Sequence, residues 1–308
     1  MSRPLPLAQI GVDRALAYRD PLAIWPGAGA LRASIERVGV LCPVVVCGAG
    51  GSPVLVAGFR RVEALAALGR AEVPARVSER PLEELFVEAV EGHAGQGANL
   101  REVARALQIG RRLGLSLEEA AARLLPPLGL EPHPDLAGRY LELLRLPGRL
   151  LGFLVDKGFS LRRCLPFCRL EPDEAEVVAA MATHLRGGRQ LEEATTQLTE
   201  LAAREEVALA ALARNLGLTD GDPEALARLE ARRMPETTRR RRELDALCRE
   251  LAGQRLDVRY DRRFTSEDVE LVLRFGSLEE LSSRLGEVAP GTVARERLAR
   301  ILLRALGV

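Results

Sequence analysis

Apolar positions in the first quarter of the chain switch between helical spacing and short β-branched runs. Residues 30–39 carry apolar side chains at helical spacing up to a terminating glycine, which predicts a helix. The apolar runs at 43–46 and 54–57 predict two buried strands, separated by a glycine-rich turn. Gly58 ends the second strand, and residues 59–68 return to helical spacing. The pattern therefore predicts a helix, two strands and a second helix.

A third short strand is predicted over residues 73–77, where Pro74 favours a position near a sheet edge because proline cannot donate a ladder hydrogen bond. Residues 82 to about 215 show helical patterning, interrupted by glycine and proline. In the C-terminal part, apolar and polar residues alternate over 256–260 and 269–275, which predicts two strands. Two helices are predicted after them, from residue 277 onward and over residues 293–305.

Together these elements predict an α+β fold with three parts. A small mixed α/β domain covers residues 1–81, a mainly helical region covers 82–216, and a small α/β part covers 217–308. The length of 308 residues accommodates two or three domains. The chain has no apolar run of the ~18–20 residues that span a membrane, and its first residues lack the apolar core of a signal peptide. We therefore expect a cytoplasmic protein without a membrane partner.

Charge and cysteines change this picture only in part. The formal net charge is +1, but two segments have an excess of basic groups. Residues 1–80 carry 10 basic and 6 acidic groups, and residues 101–164 carry 11 basic and 7 acidic groups. Lys157 is the only lysine, so this excess is almost entirely arginine, whose planar group suits phosphate. The five cysteines do not form a disulfide or metal pattern, and Cys164 and Cys168 are expected to be buried apolar residues. No metal site is predicted.

The segment after the second predicted strand carries the clearest chemistry. Gly58 permits a close backbone approach, and the helix that follows offers free N–H groups at its start. Arg60 and Arg61 on the first turn add two bidentate donors. This arrangement predicts a phosphate cradle, and an ordinary turn with two solvated arginines is the alternative.

The wider segment resembles the N-terminal domain of the ParB family. The stretch LRASIERVGVLCPVVV at residues 31–46 is similar to the family's first box, and LVAGFRRVEA at 55–64 is similar to its second. Leu68-Gly69 and Val73-Pro74 fall where the family has its next motif, a glycine followed later by Ile or Val and then proline. The resemblance covers about residues 5–80, and Cys42 and Phe59 depart from its usual residues.

The resemblance implies binding of CTP with Mg²⁺, closure of a homodimer into a clamp on DNA, nucleoid association and a partition ATPase as a further partner. It implies phosphate contacts for Gly58, Arg60 and Arg61, and it matches Glu91 to the family's third box. Gly92 stands where that box has an asparagine, and the box's arginine is missing. We therefore expect at most weak CTP hydrolysis and assign no catalytic residue, and we expect the nearby His93 to be a solvated loop residue.

A helix-turn-helix is the second element that the resemblance implies. Ser116 and Glu119 have capping-box spacing and predict a helix to about Leu125, and a second helix is predicted over residues 135–146. The turn between them is longer than the usual three or four residues. Our candidates for DNA contact are Arg139, Arg145, Arg162 and Arg163. Packing without DNA contact is the alternative for this helix pair.

Three functions remain open from the sequence. The first is a DNA-binding protein of the chromosome- or plasmid-partition type, switched as a clamp by CTP. The second is a nuclease or nucleotide-dependent phosphotransferase, because nucleases, sulfiredoxins and a free-serine kinase share this N-terminal fold. Its metal-binding acid would be Glu63 or Glu91. The third is a degenerate, non-catalytic scaffold that has lost its nucleotide.

Overall fold

The structure is a computed structural model that describes residues 3–21, 25, 27–49, 53–252, 256–260 and 269–273. The chain divides into two compact units, Met1–Leu191 and Glu192–Val308. The three-part division at residues 81 and 216 stays a prediction. Within the described part of the chain, none of the helices combines the length and apolar character needed to cross a membrane.

The described strands of the first unit form a four-stranded sheet in the order β1-β4-β2-β3. Its strands are β1 (Arg3–Pro6), β2 (Val44–Cys47), β3 (Val54–Ala57) and β4 (Glu72–Ser78). β4 pairs antiparallel with β1 and parallel with β2, and β2 pairs antiparallel with β3. The helices of this region are α1 (Ala28–Val38), α2 (Phe59–Ala67) and α3 (Leu82–Glu91). Both α2 and α3 pack on the sheet. The predicted α+β architecture is therefore confirmed.

The core of this region is made by the apolar faces that the sequence pattern marked. Ile35 of α1 and Val62 and Leu65 of α2 pack with Val44 and Leu55 of the sheet. Gly39 ends α1 with a φ of 73°, which suits glycine. The alternation between helical spacing and β-branched runs thus corresponds to one shared hydrophobic core.

The strand containing Pro74 lies near the edge of the sheet, as expected, but it is not the edge strand, because β4 lies between β1 and β2. Pro74 faces Pro4 of β1. The N–H of Leu7 bonds the carbonyl of Ala71 at 2.8 Å, so the alternation of an antiparallel ladder makes the Pro4–Pro74 pair a non-hydrogen-bonded one. Parallel pairing with β2 begins only at Ala75. Pro74 is therefore tolerated inside the sheet because neither neighbour needs its N–H.

The remainder of the first unit is helical. Its further helices are α4 (Leu100–Arg112), α5 (Leu117–Leu124), α6 (Pro134–Glu142), α7 (Gly148–Asp156), α8 (Leu161–Cys164) and α9 (Pro172–Ala182). Helices α4, α5 and α6 pack on one another around the fully buried Leu107, Leu124 and Leu143. Cys164 and Cys168 are buried as expected.

Capping boxes start α4 and α5, and α9 begins with one as well. The Asn99 side chain accepts from the N–H of Glu102 at α4, and the Ser116 side chain accepts from the N–H of Glu119 at α5. In each case the glutamate side chain accepts from the backbone N–H of the capping residue. The predicted start of α5 is thereby confirmed.

Helix α10 (Gly188–Glu205) crosses from the first unit into the second. The second unit contains α11 (Leu209–Asn215), α12 (Ala225–Arg233), α13 (Pro235–Ala252), β5 (Leu256–Tyr260) and β6 (Val269–Leu273). Arg232 pairs with Glu205 and Arg233 pairs with Glu200 on its surface. The predicted C-terminal strands are confirmed as an antiparallel pair. The helices predicted from residue 277 onward and over 293–305 lie outside the described residues.

Candidate functional site

Gly58 shapes the turn between β3 and α2. Its φ of 104° and ψ of 21° lie in the left-handed region, where other residues are strained. A Cβ atom at this position would come within 2.6 Å of Cγ1 of Val44 on the neighbouring strand. The carbonyl of Gly58 accepts the N–H groups of Arg61 and Val62, which leaves the earlier N–H groups of α2 without a helical acceptor. This turn can therefore hold an anion at the start of α2.

Arg60 is held on the first turn of α2 by three neighbours. Its guanidinium carbon lies 4.5 Å from the centre of the Trp25 ring. Its Nε donates to the carbonyl of Asp20 at 2.9 Å, and its Nη2 donates to Oε1 of Glu102 at 3.2 Å. Burial lowers the pKa of Arg60, although the Glu102 carboxylate acts in the opposite direction. The guanidinium remains charged and is fixed in one orientation.

Arg61 is bound differently, because its acceptors are backbone carbonyls. Its Nη1 donates to the carbonyls of Cys42 and Pro43, the latter at 2.9 Å. Burial lowers the pKa of Arg61. Within the described part of the chain no carboxylate pairs with this guanidinium. Its positive charge is therefore available to a bound anion.

Two buried carboxylates, Asp20 and Glu102, organise the arginines behind this turn; they are 8% and 4% exposed. Glu102 accepts from Arg19 at 3.0 Å as well as from Arg60. Asp20 accepts from Asn99 at 2.8 Å, and it pairs with Arg101 at 3.1 Å and Arg105 at 3.2 Å. Its backbone N–H donates to Glu102 at 2.9 Å. These contacts join the segment around residue 20, the start of α2 and the start of α4.

A cavity of about 520 Å³ opens in front of these groups, a size typical of small-molecule sites. Its charged lining residues are Arg14, Arg19, Asp20, Arg60, Arg61, Glu63, Arg105 and Arg112. Six arginines thus face two carboxylates, and Arg14 pairs with Glu63. Trp25, Leu31 and Ile109 add apolar surface. This balance favours a ligand with several negative charges and an apolar or aromatic part.

The sequence of residues 28–91, which contains the Gly58 turn, matches the family of ParB N-terminal domains. This part of the chain is a ParB-like domain. The cavity is bounded by this domain and by flanking residues of the same unit, such as Arg19 before it and Arg105 on α4.

Solved structures similar to the chain include ParB proteins. ParB from Caulobacter crescentus, C-terminally truncated and complexed to the centromeric parS site, is 19% identical over 70% of this chain and 100% of that chain, with a TM-score of 0.32. The same protein complexed with CTP-γ-S is 20% identical over 59% and 99%, with a TM-score of 0.28. A Pnob8-like ParB-N domain is 14% identical over 75% and 97%, with a TM-score of 0.35. No curated protein matches the sequence significantly. The assignment of the ParB-like domain rests on the sequence match.

Three of the predicted phosphate-binding residues lie together in this domain. Gly58, Arg60 and Arg61 all line the cavity. Glu91 is the last residue of α3; it is exposed and is not among the cavity-lining residues. The structure therefore brings the double-arginine turn to the cavity but does not bring Glu91 there.

His93 is not the solvated loop residue that we expected. Its Nδ1 lies 2.8 Å from the hydroxyl of Tyr18 and 2.7 Å from the carbonyl of Ala89. The side chain is partly buried at the cavity wall. Burial and then the positive charge of Arg19 lower the pKa of His93. The ring therefore favours its neutral form and adds polar surface to the cavity without adding charge.

The residues predicted to contact DNA are all exposed and lie on three elements. Arg139 lies on α6, whose exposed positions also include Asp135 and Glu142. Arg145 lies in the short 3-10 turn that follows α6. Arg162 and Arg163 lie on α8, where Arg163 stacks on Phe159 with its guanidinium carbon 4.1 Å from the ring centre. The α5–α6 pair exists as a packed helix pair, and the role of Arg139 at DNA stays a prediction.

Sequence reasoning missed much of the cavity wall. Asp20 and Arg19 follow no recognisable motif, so nothing in the local pattern marks them as buried. Glu102, which lies behind this wall, had a signal, since Asn99 and Glu102 match the "N…E" that opens the next helix in the family resemblance and also have capping-box spacing. That spacing predicts the start of a helix but not contacts with arginines from a distant segment.

Proposed function

We propose that this protein is a DNA-binding protein of the chromosome-partition type whose N-terminal cavity binds a nucleoside triphosphate, CTP with Mg²⁺. The observation that carries the proposal is the arginine-lined cavity at the Gly58 turn of a ParB-like domain. CTP and DNA come to this chain from the family resemblance. They are also the ligand types, as CTP-γ-S and the parS site, in the two Caulobacter crescentus complexes.

Charge is the first support for a triphosphate. The lining residues carry an excess of four positive charges, from six arginines and two carboxylates. Arg61 has only carbonyl acceptors, so a phosphate can use its charge without displacing a carboxylate. Charge-assisted bonds from guanidinium to phosphate are the strong kind. A nucleotide supplies both the negative charge and a base for the apolar wall.

One of the carboxylates that line the cavity would bind the divalent ion. Mg²⁺ commonly takes one or two protein carboxylates together with substrate phosphates. Asp20 and Glu63 are the two carboxylates that line the cavity, and Asp20 already holds Asn99, Arg101 and Arg105. We therefore name Glu63 as the carboxylate that would hold Mg²⁺ beside the phosphates, where the ion would neutralise part of their charge.

Nucleotide binding is tested by titrating the full chain with CTP and Mg²⁺ in a calorimeter. Loss of one charge-assisted bond corresponds to roughly ten- to hundredfold in affinity. We expect that loss for Arg61→Ala and at least as much for Arg60→Ala. Arg70→Ala is the matched control, because Arg70 is an exposed arginine of the same domain outside the cavity lining. Wild-type chain that binds no nucleotide, or an equal loss in all three variants, would contradict the proposal.

For DNA binding we propose that α6 acts as the recognition helix, with Arg139 in contact with DNA and with Arg145, Arg162 and Arg163 contributing phosphate contacts. The chain would act as a homodimer on DNA, associated with the nucleoid and with a partition ATPase as a further partner. The family resemblance supports these assignments. The exposed position of all four arginines is compatible with them.

A pull-down of fragmented genomic DNA by the purified chain, followed by sequencing, tests this part. Enrichment of a few sites, lost in Arg139→Ala and kept in Arg70→Ala, is the expected result. Phosphate contacts predict an affinity that falls as salt is raised. Arg139→Ala protein that enriches the same sites as the wild type would remove α6 from the interface, and uniform recovery of fragments would contradict specific binding.

A further inference from the structure

We propose that Glu102 is a positioning residue that fixes Arg60 and Arg19 in the wall of the cavity. The inference rests on the proposed function, because it concerns the arginines that would meet the nucleotide. Glu102 is 4% exposed, lies on the first turn of α4 and is not itself a cavity-lining residue. It therefore acts through the arginines and not by contact with a ligand.

The bonds of Arg60 define which part of it reaches the cavity. Its Nε and Nη2, on one edge of the guanidinium, are bound by the Asp20 carbonyl and by Glu102. The flat face lies on the Trp25 ring. Among the described residues no acceptor bonds Nη1, and Arg60 lines the cavity. These three contacts thus occupy one edge and one face of the guanidinium and leave Nη1 for a ligand.

The second oxygen of the same carboxylate holds a second arginine. Oε2 of Glu102 accepts from Nη1 of Arg19 at 3.0 Å, while Oε1 accepts from Arg60. Arg19 also lines the cavity. One buried carboxylate therefore sets the position of two cavity arginines, and their charges stay close together because Glu102 reduces their mutual repulsion.

The chain contains a natural control for this role. Glu119 occupies the same position of a capping box at the start of α5, yet it is exposed and bonds only Ser116 among the hydrogen bonds described. Capping alone therefore requires neither burial nor an arginine. The contacts of Glu102 with Arg19, Arg60 and the N–H of Asp20 go beyond what a helix start needs.

Glu102→Gln separates the two roles, because glutamine is also accepted at this position of a capping box. It removes the charge that holds both arginines. We expect Glu102→Gln to weaken binding of CTP with Mg²⁺ by about tenfold, and Glu119→Gln to leave it within about twofold. In an Arg60→Ala background the loss caused by Glu102→Gln should be smaller, since the part that acts through Arg60 is already lost and only the part through Arg19 remains. Equal losses with and without Arg60, or no loss in the single variant, would overturn the proposal.

A readout without ligand keeps this test independent of the proposed function. Trp25 is the only tryptophan of the chain, and Arg60 stacks on it. Its near-ultraviolet circular dichroism should change in the same direction in Glu102→Gln and Arg60→Ala, and stay unchanged in Glu119→Gln. A changed signal in a chain that binds no nucleotide would sustain the positioning role while the proposed function fails. Wild-type binding of CTP with an unchanged signal and affinity in Glu102→Gln would refute the positioning role alone.

Stability of the variant must be checked by thermal unfolding. If Glu102→Gln does not fold, Glu102→Asp can be used. It keeps the charge and shortens the side chain by one methylene group, which weakens the contacts with Arg19 and Arg60. We expect a smaller loss of CTP affinity in the same direction, about threefold. Affinity equal to that of the wild type in a folded Glu102→Asp would count against the proposal.

Discussion

Substitution of Gly58 by alanine tests the close approach that shapes the phosphate turn. The new Cβ would meet Cγ1 of Val44 at 2.6 Å and Nη2 of Arg61 at 3.0 Å. The left-handed conformation alone costs a non-glycine residue about 1–2 kcal/mol. Overpacking against a buried strand adds about 1–3 kcal/mol, because Val44 is fully buried and cannot move aside. We therefore expect Gly58→Ala to lower the free energy of unfolding by about 2–5 kcal/mol.

Gly69→Ala is the matched control, because Gly69 has a φ of 66° but a Cβ there would meet no described atom within 4 Å. It should show the conformational cost alone, about 1–2 kcal/mol. Urea unfolding followed through Trp25 fluorescence reports on the first unit, which contains the only tryptophan. The reasoning is refuted if Gly58→Ala costs no more than Gly69→Ala, since the contact with Val44 would then carry no energy.

Further predictions concern capping, acidity and packing. Ser116→Ala removes the cap of α5 and should lower the free energy of unfolding by about 1 kcal/mol in the same urea titration. The pKa of His93 is lowered by burial, so the stability it contributes is complete above its ordinary pKa of about 6.5 and is lost as the pH falls below that value. His93→Gln should therefore flatten the fall of the urea midpoint between about pH 7.5 and 5.5. Leu143→Ala should cost about 2–5 kcal/mol.

Each of these has a control within the chain. Ser160 begins α8 without a described side-chain cap bond, so Ser160→Ala should change the urea midpoint little, and a loss equal to that of Ser116→Ala would contradict the capping argument. An unchanged pH dependence in His93→Gln would assign the effect to other groups. Leu41 is 78% exposed, and Leu41→Ala should stay within about 0.5 kcal/mol of the wild type. Similar costs for Leu41 and Leu143 would contradict the assigned core.

The fold of the ParB-like domain was largely predictable because its signals are local. Helical spacing and a terminating glycine mark α1, and β-branched runs mark β2 and β3. β1 was missed because Arg3–Pro6 contains two prolines and only one buried side chain, Leu5. That β4 is an inner strand could not be predicted for a related reason. A proline excludes a hydrogen bond on one side of one residue, and the position of a strand also depends on where its neighbours begin and end.

The candidate site was predictable at the turn and not behind it. Gly58, Arg60 and Arg61 lie within four consecutive residues, so the sequence alone shows that a glycine turn and two arginines come together. Asp20 and Glu102 are 82 residues apart and meet only in the folded chain. Burial of a carboxylate depends on the arginines that compensate it, and those lie on separate elements. The environment of His93 was not predicted for the same reason, because its partner Tyr18 lies 75 residues earlier in the sequence.

The proline-rich strand β1 also determines how the sheet ends. Leu5 points its N–H toward β4, in the alternation fixed by the Leu7–Ala71 bond, so the outward-facing positions of β1 are Pro4 and Pro6. Neither residue has an N–H to offer. An exposed strand edge normally invites another chain to extend the sheet, and this edge presents carbonyl acceptors without donors. The prolines that made β1 hard to predict from the sequence therefore disfavour the pairing of another chain with the outer edge of β1.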